Sequence, residues 1–167
     1  MTQAVAYEDA VDLLDADHKG VKALFIKFNA LSDDNAPAEE KQRVADKICM
    51  ELTVHAQIEE EIFYPAVREA IGEDGLMDEA LKEHAEAKAA IAEIQAMSAG
   101  AKGYDAKVKE LGKMIDDHVL EEREQIFLQA RRAALDLRSM AVDLFNRKKQ
   151  LQGAKPAAAA KRKKVAA

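Results

Sequence analysis

Six residues of this chain have the types and spacing to hold a metal: His18, His55, Glu59, His84, His118 and Glu122. His55 and Glu59 are four apart, as are His118 and Glu122. On a helix each pair therefore shares one face, one turn apart. The chain has four histidines, and each falls in a run of apolar residues stepping by three and four, which is the spacing of a single helix face. The runs are Val11, Leu14, His18, Val21, Phe25, Phe28; then Ala45, Ile48, Leu52, His55, Glu59, Ile62, Ala66; then Met77, Leu81, His84, Ala87, Ile91, Ile94; and Val108, Leu111, Ile115, His118, Glu122, Ile126. Such faces point into a helical core. An unpaired carboxylate buried there costs several kcal/mol, and a bound metal offsets that cost directly. One histidine on an apolar face is commonly a satisfied core residue, and Glu59 inside Glu59-Glu60-Glu61 reads alone as a solvated helix face. With about a third of helical positions facing inward, four histidines all do so about once in 80 placements. The joint pattern therefore outweighs the single-residue readings.

Other chemistries lack their residues. No His-Glu-x-x-His helix is present, which excludes that zinc motif. Residues three before the histidines are Asp15, Leu52, Leu81 and Ile115, so the Glu-x-x-His pair of ferritin-like bundles is missing. No Gly-rich phosphate loop occurs. Cys49 lies off the face of His55 and reads as a small core residue. No nucleophilic triad can be assembled, and no catalytic residue is nominated.

The elements that must position these residues are helices. The 167 residues include 49% apolar but only 5% aromatic side chains, with 7 Gly and 3 Pro, a mix that favours helix over sheet. Breaks at Ser32-Asp33-Asp34-Asn35, at Gly72-Glu73-Asp74-Gly75 and from Ser98 to Gly103 separate helices expected over about 5–31, 37–71, 75–98 and 104–150. Short connections predict an all-α, antiparallel up-down-up-down four-helix bundle over 1–150. Pro65 is expected to remove a backbone hydrogen bond and kink the second helix. Residues 151–167, rich in Ala and Lys, have little to bury and are expected to be a disordered tail. No internal repeat beyond the helical period is evident.

Charge divides the chain. Residues 147–167 carry eight basic and no acidic residues, which leaves residues 1–146 at −14. An acidic body disfavours nucleic acid, whose binding needs cationic contacts; only weak contact through the basic tail is left open. The start lacks a signal-peptide pattern and no stretch approaches 18 apolar residues, so a cytoplasmic protein without membrane contact is expected.

The residues Asp17-His18-Lys19, His55-Ala56-Gln57-Ile58-Glu59-Glu60-Glu61-Ile62-Phe63-Tyr64-Pro65, Glu83-His84 and His118-Val119-Leu120-Glu121-Glu122 resemble the hemerythrin-like, or HHE cation-binding, domain family. The resemblance covers about residues 9–132, and its second string is the most specific. It implies a four-helix bundle holding two non-haem irons bridged by carboxylates and a solvent oxygen. By that resemblance His18, His55, His84 and His118 are terminal nitrogen ligands, and Glu59 and Glu122 bridge. Imidazole plus carboxylate suits iron, and manganese or zinc as well.

The chain departs from the oxygen-carrying members. Lys88 stands where they have a second histidine in the third helix; it is expected to snorkel outward, the alternative being that it points at the site and hydrogen-bonds a bound oxygen species. Arg123 stands where they have Asp, so Glu122 takes that role. Six protein ligands leave more open positions than a carrier has. Glu51 and Asp117 are within sequence reach as outer hydrogen-bond partners but read as solvated, and Tyr64, half a turn off the face of His55, is not nominated. The expected function is binding of oxygen, nitric oxide or peroxide at a di-iron site for sensing, storage or stress protection. The alternatives are a catalase- or peroxidase-like enzyme at the same site and a metal-stabilised helical interaction module.

Overall fold

The computed structural model describes residues 7–153. The described residues form no strands, and five helical rods account for nearly all of them. We number them α1 (Ala10–Asp33), α2 (38–71), α3 (Gly75–Ala96), α4 (104–132) and α5 (Leu137–Gly153). α2 and α4 are each continuous but contain one wider π turn, at Glu59–Phe63 and at Glu122–Ile126.

The helix ends follow from local chemistry. Asp9 caps α1 by accepting from the Asp12 N–H at 2.9 Å, satisfying one of the donors a helix start leaves unpaired. Asn35, at φ 50°, takes the left-handed conformation in the turn into α2. Gly72, at φ 65°, ends α2 in the same region, where a residue with a Cβ is strained. Glu39 and Glu40 lie in the first turn of α2, at the positive end of its dipole.

α1 packs on α2 and α3 on α4, and contacts of α1 with α4 and of α2 with α3 join the pairs. Gly112 of α4 faces the Phe25 ring so closely that a Cβ there would lie 3.0 Å from it, which lets α1 and α4 approach at that level. The apolar side chains form two separate clusters. One gathers Leu13, Leu14, Phe63, Tyr64, Val67, Met77, Ile126 and Leu144. The other gathers Val21, Phe28, Ile48, Leu52, Ile94, Tyr104 and Leu111. Between them the buried polar residues are His18, His55, Glu59, His84, His118 and Glu122. Those six therefore form a polar layer between two hydrophobic cores.

The expected fourth helix, 104–150, is two helices. The chain leaves α4 at Ala133 in an extended conformation (φ −78°, ψ 157°) and restarts at Leu137. Asp136 Oδ1 accepts from the Ser139 N–H at 3.0 Å, an N-cap unaccompanied by Gly or Pro to announce it. α5 then turns back onto α1 and α2, burying Met140, Ala141 and Leu144. Residues 151–153, expected in the tail, belong to its last turn. The disorder expected beyond them lies outside the described residues, as does most of the N-terminal segment before α1. Among the described residues no helix is long and apolar enough to cross a membrane.

Candidate metal centre

The structure brings all six sequence-nominated residues together. α1, α3, α2 and α4 contribute His18, His84, the His55–Glu59 pair and the His118–Glu122 pair. All six are at most 7% exposed, and both glutamates are fully buried. They form two four-residue groups that share the glutamates: His18, His55, Glu59 and Glu122, and Glu59, His84, His118 and Glu122.

Each glutamate divides its oxygens between the groups. Glu59 Oε1 lies 2.9 Å from His55 Nε2, and its Oε2 lies 3.1 Å from His84 Nε2. Glu122 Oε1 lies 3.1 Å from His18 Nε2, and its Oε2 lies 3.4 Å from His118 Nε2. Within each group the imidazoles also converge, His18 Nε2 on His55 Nε2 at 3.1 Å and His84 Nε2 on His118 Nε2 at 3.2 Å. Donors at about 2.1 Å from one ion and at right angles to each other lie about 3.0 Å apart, so the spacing suits a metal in each group. Two of the converging oxygens, Glu59 Oε1 and Glu122 Oε1, are buried with no hydrogen-bond partner. Lone pairs facing lone pairs in a dry interior need a cation.

The outer ring nitrogens fix which way the inner ones point. His55 Nδ1 lies 3.0 Å from Asp17 Oδ2, His84 Nδ1 lies 3.3 Å from Glu60 Oε2, and His118 Nδ1 bonds Glu83 Oε2. An ionised carboxylate only accepts, so each of these Nδ1 atoms donates, leaving Nε2 with its lone pair toward the centre when the ring is neutral. His18 Nδ1 faces Asp15 Oδ1 at 3.4 Å without hydrogen-bond alignment. Three of the four carboxylates are held in turn by a cation: Asp15 by Arg123, Asp17 by Lys148 and Glu60 by Lys88. Lys88 thus snorkels outward as expected, half-exposed, with Nζ 2.7 Å from Glu60 Oε1. The sequence reading passed over these four carboxylates. Of the two it considered, Asp117 is exposed and Glu51 half-buried, and neither meets a ring.

Tyr64 is the residue the sequence reading set aside wrongly. Its hydroxyl lies 2.5 Å from Glu122 Oε2, 3.1 Å from Glu59 Oε2 and 3.2 Å from His84 Nε2. The cause is the π turn. It accommodates one extra residue, and the Tyr64 N–H bonds the Glu59 carbonyl five residues back. A residue half a turn off the face on an α-helical count is thereby returned to it. The same shift buries Phe63, Tyr64 and Val67 while Ile62 and Ala66 are only partly covered. Pro65, expected to kink the helix, stands two residues past the end of this turn. No proline lies in or just after the α4 turn, so proline alone does not account for the pair.

The two halves of the site repeat each other. Asp17-His18 with His55 and Glu59 corresponds to Glu83-His84 with His118 and Glu122. In each half the acid preceding one histidine serves the other histidine's ring, Asp17 that of His55 and Glu83 that of His118. Five residues past each glutamate stands an aromatic: Tyr64 against His84, with centroids 5.3 Å apart, and Phe127 stacked on His18 at 5.7 Å. This repeat in the ligand pattern corrects the expectation of none.

Charge in the cluster is tightly coupled. Burial opposes a charge on His55, but Glu59 and Asp17 outweigh it and raise its pKa well above that of an ordinary imidazole. Burial likewise opposes a charge on His118, while Glu122, Glu59 and Glu83 raise it to about 9. Burial disfavours ionised Glu59, yet His55 and His84 hold it well below the usual carboxylate range. Burial and the two carboxylates keep the Tyr64 phenol protonated. The cluster thus favours positive charge at its centre.

The four rings border a cavity of about 30 Å³ walled also by Val21, Leu52, Ala87, Ile91 and Ile115. That is room for about one water-sized molecule in apolar surroundings.

Comparison with known proteins agrees with this geometry. The profile of the hemerythrin HHE cation binding domain matches residues 9–130. A curated protein named DNA nickase, from Nostoc sp., is 34% identical over 120 residues, covering 72% of this chain and 33% of its own length. The chain thus spans about a third of that relative. The crystal structure of a hemerythrin HHE cation binding domain-containing protein from Mycobacterium kansasii superposes with a TM-score of 0.72 at 22% identity, covering 87% of this chain and 88% of that one.

Proposed function

The chain belongs to the hemerythrin HHE cation-binding family, and from that premise we propose that it holds two non-haem iron ions and binds a small oxidant or diatomic molecule: oxygen, nitric oxide or peroxide. The observation that carries this reading is the division of each buried glutamate's oxygens between two imidazole pairs. Manganese and zinc suit the same donors; iron is favoured by family. We take α1 to α4 to form the up-down-up-down bundle that presents these ligands, as their short links and pairings support.

Bound iron would supply reversible or redox reaction with such ligands. The chain's own residues prepare the place. His18, His55, Glu59, His84, His118 and Glu122 would hold the ions, with Tyr64 as a further oxygen donor on the His84 side. Asp17, Glu60 and Glu83 orient the rings. Val21, Leu52, Ile91 and Ile115 exclude bulk water from the cavity and restrict entry to something small.

Four imidazoles, two shared carboxylates and one phenol would leave two bound ions short of a full ligand set and open to a small ligand. That shortfall favours a second reading, peroxide consumption at the same site. DNA cleavage is not part of the proposal: the nickase is about three times as long as the matched stretch, and residues 1–146 carry a net −14.

Metal analysis and optical spectra of the iron-loaded full chain test the reading. About two irons per chain are expected, with spectral changes on adding oxygen, nitric oxide or peroxide. A chain that takes up no iron, or a His55→Ala/Glu59→Ala variant that keeps full iron, overturns it. Peroxide loss no faster than with free iron removes the second reading.

A further inference from the structure

α5 lies wholly beyond residues 9–130, the stretch that matches the family, yet two of its adjacent side chains reach the candidate centre. Lys148 Nζ lies 2.5 Å from Asp17 Oδ1, while the other oxygen of Asp17 accepts from His55 Nδ1 at 3.0 Å. Arg147 forks onto Glu61, Nε to Oε2 at 2.6 Å and Nη2 to Oε1 at 3.1 Å. Glu61 lies in the π turn that begins with Glu59. The Asp17 side chain is only 9% exposed, so its charge needs a partner that stays in place. Lys148 is itself only 20% exposed, and Leu144, one turn earlier, is fully buried and anchors the helix.

We propose that α5 is a clasp on the metal centre, with Lys148 as a positioning residue that holds Asp17 so that Asp17 fixes the His55 ring, while Arg147 steadies the turn that carries Glu59. Arg147 grips α2 itself, the helix that supplies His55 and Glu59, while Lys148 grips Asp17 of α1, whose other oxygen holds the His55 ring of α2. The clasp is one-sided. Glu83, the counterpart of Asp17 behind His118, pairs with no Lys or Arg among the described residues. α5 therefore distinguishes the His18–His55 position from the His84–His118 position. The inference rests on the metal reading for its consequence but on the Lys148–Asp17–His55 chain for its substance.

The test uses the full chain as wild type, Lys148→Met, Lys148→Arg and a surface control, Lys22→Met; Lys148→Gln replaces the Met variant if its helical circular dichroism is lost. Ferrous iron is loaded without oxygen and its release to a ferrous chelator is timed. Lys148→Met is expected to release one iron about tenfold faster than wild type, in the range found for lost outer-shell partners. Lys148→Arg and Lys22→Met should stay within about twofold. Release from Lys148→Met at the wild-type rate, or equal acceleration in Lys148→Arg, overturns the proposal. A second readout needs no metal: in the metal-free chain the His55 Nδ1–H should appear by nitrogen-15 NMR as a water-protected proton, present in wild type and Lys148→Arg and lost in Lys148→Met. If wild type takes up no iron, the proposed function fails, and this resonance alone decides the role of Lys148. Its persistence in Lys148→Met overturns that role.

Discussion

Tyr64 and Glu122, 58 positions apart in the chain, meet with Oη and Oε2 2.5 Å apart at the middle of the molecule. Tyr64 directly follows the π turn of α2 and Glu122 opens the π turn of α4, so the bond ties together the two irregular turns. Tyr64→Phe removes the donor and leaves a buried carboxylate oxygen one partner short. The metal-free chain is expected to lose about 1–3 kcal/mol of stability, read by denaturant unfolding. No loss would mean that the phenol contributes nothing to holding the pair of turns.

The raised imidazoles set a pH dependence. His118 titrates at about 9 in the folded chain against about 6.5 unfolded, and His55 is also raised. Stability from protonated His118 is fully present below about pH 6.5 and lost as pH rises through about 9, and the raised His55 adds a loss of the same sign on the alkaline side. The melting temperature of the metal-free chain should therefore fall between these values. Metal binding must displace these protons, so uptake at pH 7 should release protons, detectable by calorimetry in buffers of different ionisation heat. A melting temperature that rises from pH 6.5 to 9 would contradict the charge arrangement.

The carboxylates behind the rings should matter more than those merely near them in sequence. Asp17→Asn and Glu83→Gln are each expected to speed metal loss about 10- to 100-fold. Glu51→Gln and Asp117→Asn, which meet no ring, should leave it unchanged. Chelator competition separates the four variants, and equal effects in all of them would refute the assignment of partners.

Filling the cavity should separate ligand access from metal binding. Ala87→Leu intrudes on a space of about 30 Å³ beside the four rings. Metal content should be unchanged, while nitric oxide binding weakens about tenfold, or about 1.4 kcal/mol, within the usual range for overpacking. Unchanged nitric oxide affinity with full metal would place the ligand elsewhere.

Much of the site was legible because its residues obey the helix period: His18, His55, His84 and His118 each replace one apolar side chain in an otherwise regular stripe. Legibility stopped where the period did. The π turn rotated Phe63, Tyr64 and Val67 inward where a straight count favoured Ile62 and Ala66. Asp17, Glu60 and Glu83 are each adjacent to a ligand in sequence, yet Asp17 serves His55 on another helix, a pairing that only packing reveals. Arg147 and Lys148 were grouped with the basic tail by composition, but Asp136 starts a helix without a Gly or Pro signal and carries Lys148 onto Asp17 of α1 and Arg147 onto Glu61 of α2. The family resemblance offered no guide there, since the matched stretch ends before that helix begins.

The polar layer between the two apolar clusters also bears on how the molecule comes apart. Each core can close on its own side, and among the described residues the six-residue layer offers little hydrophobic adhesion to link them. In the metal-free chain, cooperativity should therefore be weakest across that plane, with amide exchange falling into two protection classes, one per core. A pair of ions held by ligands from α1, α2, α3 and α4 would act as a rivet and merge the two classes into one. The same plane would then govern both reactivity and the unity of folding.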